Sequence, residues 1–163
     1  MFFYGSLRDR ELLDVVLGRA VPVHDFVAAE VSGMAARCLA TEAYPVLVPA
    51  PGQTAEGRVL YHVTPEDLAR LEFFEEAEYG LVPISVRTSQ GLVEAQYFCG
   101  TGKAAETDTA WDFDAWNRVE RPVALAAARE YMGYFGRMTI EEVDAIWPDI
   151  MARARAQAAM AEG

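Results

Sequence analysis

Two short segments hold residue types from which chemistry could be built. The first ends in Glu75 and opens with Thr64-Pro65-Glu66-Asp67. Thr64 is an N-cap by type, Pro65 suits the first helical position, and the acidic residues stand beside the positive end of the helix dipole, so a helix is predicted to run to about Glu76. At about 100° per residue, Leu68, Leu71, Phe74 and Glu75 share one sector of roughly 120°, with Glu72 at its edge and Glu66 and Glu76 further round. A carboxylate on an apolar stripe is costly unless paired or neutral, and partial desolvation would raise its pKa to where it can take and give a proton near neutrality. A general acid–base catalyst needs that property. Periodicity leaves a second reading open, in which Glu75 snorkels at the helix end or bonds a neighbouring amide.

The second segment is Tyr4-Gly5-Ser6-Leu7, where a short apolar strand breaks at glycine before a helical pattern on Leu12, Leu13, Val16 and Leu17, stopped by Gly18. Backbone N–H groups at such a turn, with a helix dipole behind them, form a cradle for a carboxylate or phosphate, and a small residue lets a ligand approach the main chain. The bland alternative is a structural turn in which Ser6 caps the helix. A serine-nucleophile elbow is excluded, because G-x-S-x-G needs glycine where the chain has Tyr4 and Arg8.

Other constellations fail on type or spacing. Cys38 and Cys99 lack zinc-site spacing, cannot make a disulfide framework, and with His24 or His62 carry no thiol-protease signature. Glu75, Glu76 and Glu78 lack the alternating oxygen ligands and glycine of a calcium loop. Asp108, Trp111, Asp112, Phe113, Asp114 and Trp116 form an acidic-aromatic patch, read as a surface loop with its rings tucked under the domain or, alternatively, as a lid over a ligand. Tyr44, Tyr79 and Tyr97 lie in or beside apolar segments, where a tyrosine by default packs its ring and finds its hydroxyl a local partner.

The chain that positions these residues has 163 residues, 52% hydrophobic and 24% charged, enough to bury a core as one domain. Its 14 basic and 25 acidic residues give a net charge of −11. Such a surface repels phosphate backbones and anionic lipid, so neither nucleic acid nor membrane is an expected partner. No leader-like start and no apolar stretch of spanning length is found, which predicts a soluble, cytoplasmic protein. Strand patterns are expected within Val21–Val31, Pro45–Val48 and Gly57–Val63, with a turn at Pro49-Ala50-Pro51-Gly52. Tyr79–Arg87 and Leu92–Cys99 form a hairpin around Thr88-Ser89-Gln90-Gly91, with Val82, Ile84 and Val86 on one face. Thr101–Asp114 reads as loop, Val123–Phe135 as a helix ended by Gly136, and Thr139-Ile140-Glu141-Glu142 as a capping box opening another helix that Pro148 interrupts or restarts. Strands first and helices later make an α+β pattern.

Taken together, Phe3-Tyr4-Gly5-Ser6-Leu7-Arg8-Asp9, then Tyr44-Pro45, Gly57 to Tyr61, and Leu71-Glu72-Phe73-Phe74-Glu75 leading through Tyr79 into a strand resemble the gamma-glutamylcyclotransferase-like family in order and spacing. The resemblance covers about residues 1–100, a motif-bearing core, and leaves a helical extension at about 110–163 without a transferable role. It implies a small mixed-sheet, β-barrel-like core surrounded by helices. Tyr4, Gly5, Ser6 and Leu7 match the substrate-binding loop, and Glu75 matches the catalytic acid/base of a Leu-Asp-x-x-Glu-Gly motif. Glu72 stands where the family usually has Asp, Glu76 where it has Gly, and Leu81 where a basic residue commonly follows the tyrosine.

The implied reaction is cyclisation of a γ-glutamyl group to 5-oxoproline with release of an amine or amino acid, an acyl transfer needing no cofactor and no metal. Tyr79 or Tyr97 is the implied donor to the developing oxyanion, and Arg8 and Arg37 are candidates to offset the acidic field. A homodimer is compatible with the helical extension. Two rival readings stand beside this one: a small-amide hydrolase in which Glu75 activates water, and a non-catalytic module that binds a small carboxylate or a protein.

Overall fold

Among the described residues the strand segments form a six-stranded sheet: β1 (Phe2–Phe3), β2 (Phe26–Leu39), β3 (Pro45–Leu60), β4 (Tyr79–Thr88), β5 (Gly91–Gly100) and β6 (Glu106–Ala110). The computed structural model describes residues 1–41, 44–75, 79–100 and 106–161, Tyr79 by its backbone alone. The strand order is β1-β3-β2-β4-β5, with β6 also on β2. The α+β expectation holds. Every described pairing is antiparallel, where a mixed sheet was expected, and the sheet is open. It is barrel-like only in that its ends, β1 and β5, come near one another. There the Tyr4 hydroxyl donates to the Phe98 carbonyl at 3.2 Å.

The long β2–β3 ribbon pairs from Phe26↔Leu60 to Cys38↔Pro45, with a register shift between Ser32 and Met34. Pro49–Gly52, read as a turn from sequence, therefore lies inside β3. Prolines are tolerated at such a bulge because the ladder is already interrupted there, and the left-handed φ of Gly33 (77°) and Gly52 (81°) accommodates the bend. The β4–β5 hairpin has the expected register, Thr88↔Gly91. Val82, Ile84 and Val86 grade along its inner face from exposed to fully buried.

Among the described residues there are six α-helices: α1 (Arg10–Leu17), α2 (Pro65–Phe74), α3 (Phe113–Val119), α4 (Arg121–Met132), α5 (Ile140–Ala145) and α6 (Trp147–Ala161). α1 buries Leu12, Leu13, Val16 and Leu17, each worth about 1.5–3 kcal/mol relative to exposure, and ends at Gly18 with φ 66°. Its cap is Asp9, which accepts from the Leu12 N–H at 2.8 Å. Ser6 cannot cap it, because a 3₁₀ turn over Ser6–Arg8 intervenes. Thr64 and Asp67 form a reciprocal capping box on α2, which ends at Phe74 with Glu75 as C-cap. Glu76, the expected end, is outside the described residues.

Asp67 also receives two hydrogen bonds from the Arg19 guanidinium, at 2.9 and 2.7 Å, and is only 2% exposed. Arg19 holds this carboxyl below its ordinary value, with help from the Thr64 N–H and hydroxyl. Arg70 ties the same helix to α1 by donating to the Val16 carbonyl at 2.7 Å.

The expected loop Thr101–Asp114 contains β6, and α3 starts at its end. β6 pairs Arg37↔Ala110 and Leu39↔Glu106, and α3 is opened by the Asp112 side chain accepting from the Ala115 N–H. The alanine-rich helix ends at Met132 rather than Phe135. Tyr134 and Phe135 instead donate to carbonyls three residues back, which tightens the chain before Gly136 at φ 74°. The Thr139–Glu142 capping box forms as read, and α6 restarts with Pro148 in its first turn.

Phe2 and Phe3, adjacent in β1, point to opposite faces and join two clusters. Phe3 belongs to the larger one, with Leu13, Val16, Leu71, Leu125 and Ile150 under the helices; Phe2 joins Val31, Val59, Val86 and Tyr97 within the curve of the sheet. Among the described residues no helix is long and apolar enough to cross a membrane.

Candidate active site

A cleft with a cavity volume of about 170 Å³ opens where β1, the turn after it, the end of α2 and the helical extension meet. Its first side is β1 and Tyr4 to Leu7. β1 lies close against β3 because residue 57 is glycine. A Cβ there would stand 2.4 Å from both the Phe2 ring and the Phe3 carbonyl oxygen. The Arg8 and Asp9 N–H groups are taken by the Gly5 and Ser6 carbonyls at 3.0 and 2.9 Å, which leaves the amides of Ser6 and Leu7 ahead of the first bond within the turn. Beside Gly5 the space a Cβ would need is filled by the Pro45 ring, 3.1 Å away, so this glycine serves the packing of Tyr44-Pro45 onto the turn.

Glu75 enters from the end of α2. Its N–H donates to the Leu71 carbonyl at 2.9 Å, closing the last turn, and the half-buried side chain lines the cleft beside Phe74. The helix delivers the carboxylate from its C-terminal end and is anchored at the other by the Thr64–Asp67–Arg19 cluster.

The opposite side comes from residues sequence reasoning missed. Tyr131 of α4, 4% exposed, donates its hydroxyl to the Phe73 carbonyl at 3.1 Å and reaches Asp144 Oδ1 at 3.4 Å. Its ring meets Phe74 edge-on at 6.2 Å and Trp147 edge-on at 5.7 Å. Trp147, at the start of α6, stands 39% exposed at the mouth. Large aromatics in an alanine-rich helical tail were the available signal.

The cleft thus brings together Tyr4, Gly5, Ser6, Leu7 and Glu75, with Tyr44 and Phe98 beside them. Tyr97 is not on its lining. Strand alternation turns it to the other face of β5 from Phe98, where its ring packs edge-on against Tyr4 at 6.0 Å. Burial, then the Cys99 thiol, push its phenol up to about 12. The Tyr79 side chain and the residues Glu76 and Glu78 are outside the described residues.

Neither arginine candidate reaches the cleft. Arg8 lies 4.5 Å over the Phe113 ring and pairs with Glu56 at 3.5 Å, while Arg37 donates to the Asp108 carbonyl and Gln53 Oε1. The acidic-aromatic patch is a cluster under Arg8, with Phe113 stacked on Trp116 at 5.7 Å, and none of its rings lines the cleft. The described lining holds no Arg, Lys or His. Among the described residues no three His, Cys, Asp or Glu are grouped to hold a metal ion.

A model of the family described as gamma-glutamyl cyclotransferase, AIG2-like, matches residues 1–118, the segment that carries the first side of the cleft and Glu75. The chain belongs to that family. AIG2-like protein C of Arabidopsis thaliana is 29% identical over 135 residues, 81% of this chain and 77% of its own length. AIG2-like protein A of the same plant is 25% identical over 81% of this chain and 80% of the relative. An Arabidopsis thaliana protein solved in solution superposes with a TM-score of 0.56 at 27% identity, covering 74% of this chain and 80% of that one. A structure titled gamma-glutamyl cyclotransferase superposes with a TM-score of 0.51 at 13% identity over 91% of this chain and 96% of its own, a likeness of fold. Membership in the family thus rests on residues 1–118; Tyr131 and Trp147 lie beyond them.

Proposed function

We propose that this protein is a cofactor-independent gamma-glutamyl cyclotransferase acting as one domain over residues 1–163, with Glu75 as general acid/base and Tyr4 to Leu7 as the substrate-holding turn. The observation that carries the reading is that Glu75 and this turn, remote in sequence, line one cleft. Membership in the family supports it.

In this mechanism the amides of Ser6 and Leu7 hold the α-carboxylate of the γ-glutamyl group, a task that falls to backbone donors because the described lining offers no cationic side chain. The bent substrate brings its α-nitrogen onto its own γ-carbonyl carbon, and proximity supplies a share of the roughly 7–11 kcal/mol available to such ring closure. The α-ammonium first loses a proton to solvent. The new C–N bond forms, Glu75 takes the second proton from the attacking nitrogen, and it returns one to the leaving nitrogen as the old C–N bond breaks. The products are 5-oxoproline and a free amine, with no water consumed. An alkylamine then picks up a further proton from solvent. Tyr97 serves by packing behind Tyr4 and stays a neutral phenol throughout the working range.

The test is mass-spectrometric product analysis of a γ-glutamyl panel with the parent and Glu75→Gln proteins. The expected result is 5-oxoproline from the parent, with kcat reduced about 10²- to 10⁴-fold in Glu75→Gln and stability changed by less than about 0.5 kcal/mol. Free glutamate instead of 5-oxoproline would make the protein a hydrolase; parental activity in Glu75→Gln would remove Glu75 from the mechanism.

A further inference from the structure

The turn after β1 is fixed at its entry by the pairing of β1 with β3. Its exit, at Arg8 and Asp9, is held from outside by side chains that come from beyond residue 110. The Arg8 guanidinium lies 4.5 Å over the face of the Phe113 ring of α3. Asp9 divides its carboxylate between two tasks. Oδ1 accepts from the Leu12 N–H and caps α1, while Oδ2 accepts from Arg121 Nε of α4 at 2.9 Å. The same guanidinium donates to Glu11 Oε2 at 2.7 Å, and Arg129 of α4 donates to the other oxygen of Glu11 at 2.6 Å, so two bonds set the plane of Arg121. With Asp9 13% and Arg121 29% exposed, the pair is better shielded than the surface ion pairs that contribute little. Phe113 and Arg121 stand on one helical corner. Glu120 ends α3 by donating its N–H to the Trp116 carbonyl at 2.8 Å, and Arg121 follows it directly as the first residue of α4. Trp116 and Leu125 root that corner in the larger cluster.

We propose that Arg121 is a positioning residue: acting through Asp9, with Phe113 on Arg8 beside it, it holds the Ser6 and Leu7 amides where they receive the α-carboxylate. This assignment rests on the cyclotransferase reading. Arg121 does not line the cleft, and it lies beyond the residues 1–118 matched by the family model, so the helical extension gains a role that the match does not carry. Amides that hold the carboxylate bind ground state and transition state alike. Loosening them therefore raises KM and spares kcat, whereas a general loss of folded protein lowers apparent kcat and spares KM.

The experiment measures initial rates of 5-oxoproline release from γ-glutamylalanine and γ-glutamylethylamide by the parent, Arg121→Ala, Asp9→Asn and the double variant. Asp9→Asn keeps a side-chain acceptor for the cap of α1 while removing the charge that Arg121 meets. Arg153→Ala, which removes the pairing of α6 with Glu130 of α4 at 2.6 Å, is the control away from the turn. Arg121→Ala and Asp9→Asn are each expected to raise KM about tenfold with kcat within about twofold of the parent. The double variant should be no worse than either alone, because both remove one bond. Arg153→Ala should match the parent. A KM that stays at the parental value in Arg121→Ala, a loss confined to kcat, or effects that multiply in the double variant overturns the proposal and leaves the cyclotransferase reading standing. If the parent turns over neither compound, that reading fails, and amide exchange at Arg8 and Asp9, followed by NMR, judges the clamp by itself. Exchange about fivefold faster in Arg121→Ala than in Arg153→Ala keeps the clamp on the turn; equal exchange rejects it.

Discussion

On one side of the cleft Tyr4 to Leu7 and Glu75 are held by main chain: a strand pressed on Gly57, a hydrogen-bonded turn, and the end of a capped helix. On the other, Tyr131 and Trp147 meet edge to face, and the Tyr131 hydroxyl bonds the Phe73 carbonyl and reaches Asp144. Backbone geometry resists side-chain substitution, whereas an edge-to-face ring contact changes with a single residue. The contrast separates the two demands on the site. The side proposed to hold the γ-glutamyl group is fixed by main chain, and the side formed by Tyr131 and Trp147 is fixed by side-chain contacts.

The sharpest way to break this comparison is Gly57→Ala. The new methyl cannot coexist with the Phe3 carbonyl where it stands, so β1 must shift. Denaturant unfolding should show a loss of about 3 kcal/mol, with activity on every substrate falling together. A loss below about 1 kcal/mol would mean that the rigid side yields easily.

Asp67→Asn loosens the far end of the helix that carries Glu75, and its expected cost is about 2 kcal/mol at neutral pH. The folded-state pKa of Asp67 is depressed, so its stabilisation is full above the unfolded value near 3.9 and is lost as pH falls through the folded value. The stability gap between parent and variant should therefore be flat from about pH 5 to 8 and shrink below about pH 4. A gap that instead widened toward acid would contradict the Arg19 pairing.

The smallest effects compare the two sides directly. Tyr4→Phe removes the hydroxyl bond to the Phe98 carbonyl and Tyr131→Phe the one to the Phe73 carbonyl, each expected to cost about 1 kcal/mol. The two residues sit in different clusters, so the double variant should be additive within about 0.5 kcal/mol. Coupling well above that would make the cleft one mechanical unit.

Legibility in the sequence follows the same division. The Thr64 and Thr139 caps, the Gly18 stop and the Thr88–Gly91 hairpin were readable because each depends on residues within a few positions of one another. β6 was read as loop because it exists by pairing with β2 some 70 residues earlier, Arg37 against Ala110. α3 was missed although Asp112 with Asp114 is a legible N-terminal signal, since the nearby aromatics suggested a patch. Pro49–Gly52 reads as a turn in any local window, and only the register of β2 against β3 makes it a bulge.

Glu75 was singled out by helical period and by resemblance, and Tyr4 to Leu7 by the glycine turn; the structure puts both on the lining of one cleft. That Tyr97 turns away from the cleft could have been read from its alternation with Phe98; that Arg8 is spent on Phe113 and Glu56 could not. By itself the sequence determined the helix caps, the strand–glycine turn and the residue types able to move a proton, because propensity and capping act over a few residues. Tertiary structure alone decided that Glu75 and Tyr4 share a cavity, and that Tyr131 and Trp147 close it. Those contacts join segments far apart in the chain, and burial rewards whichever surfaces fit, without a local mark in the sequence.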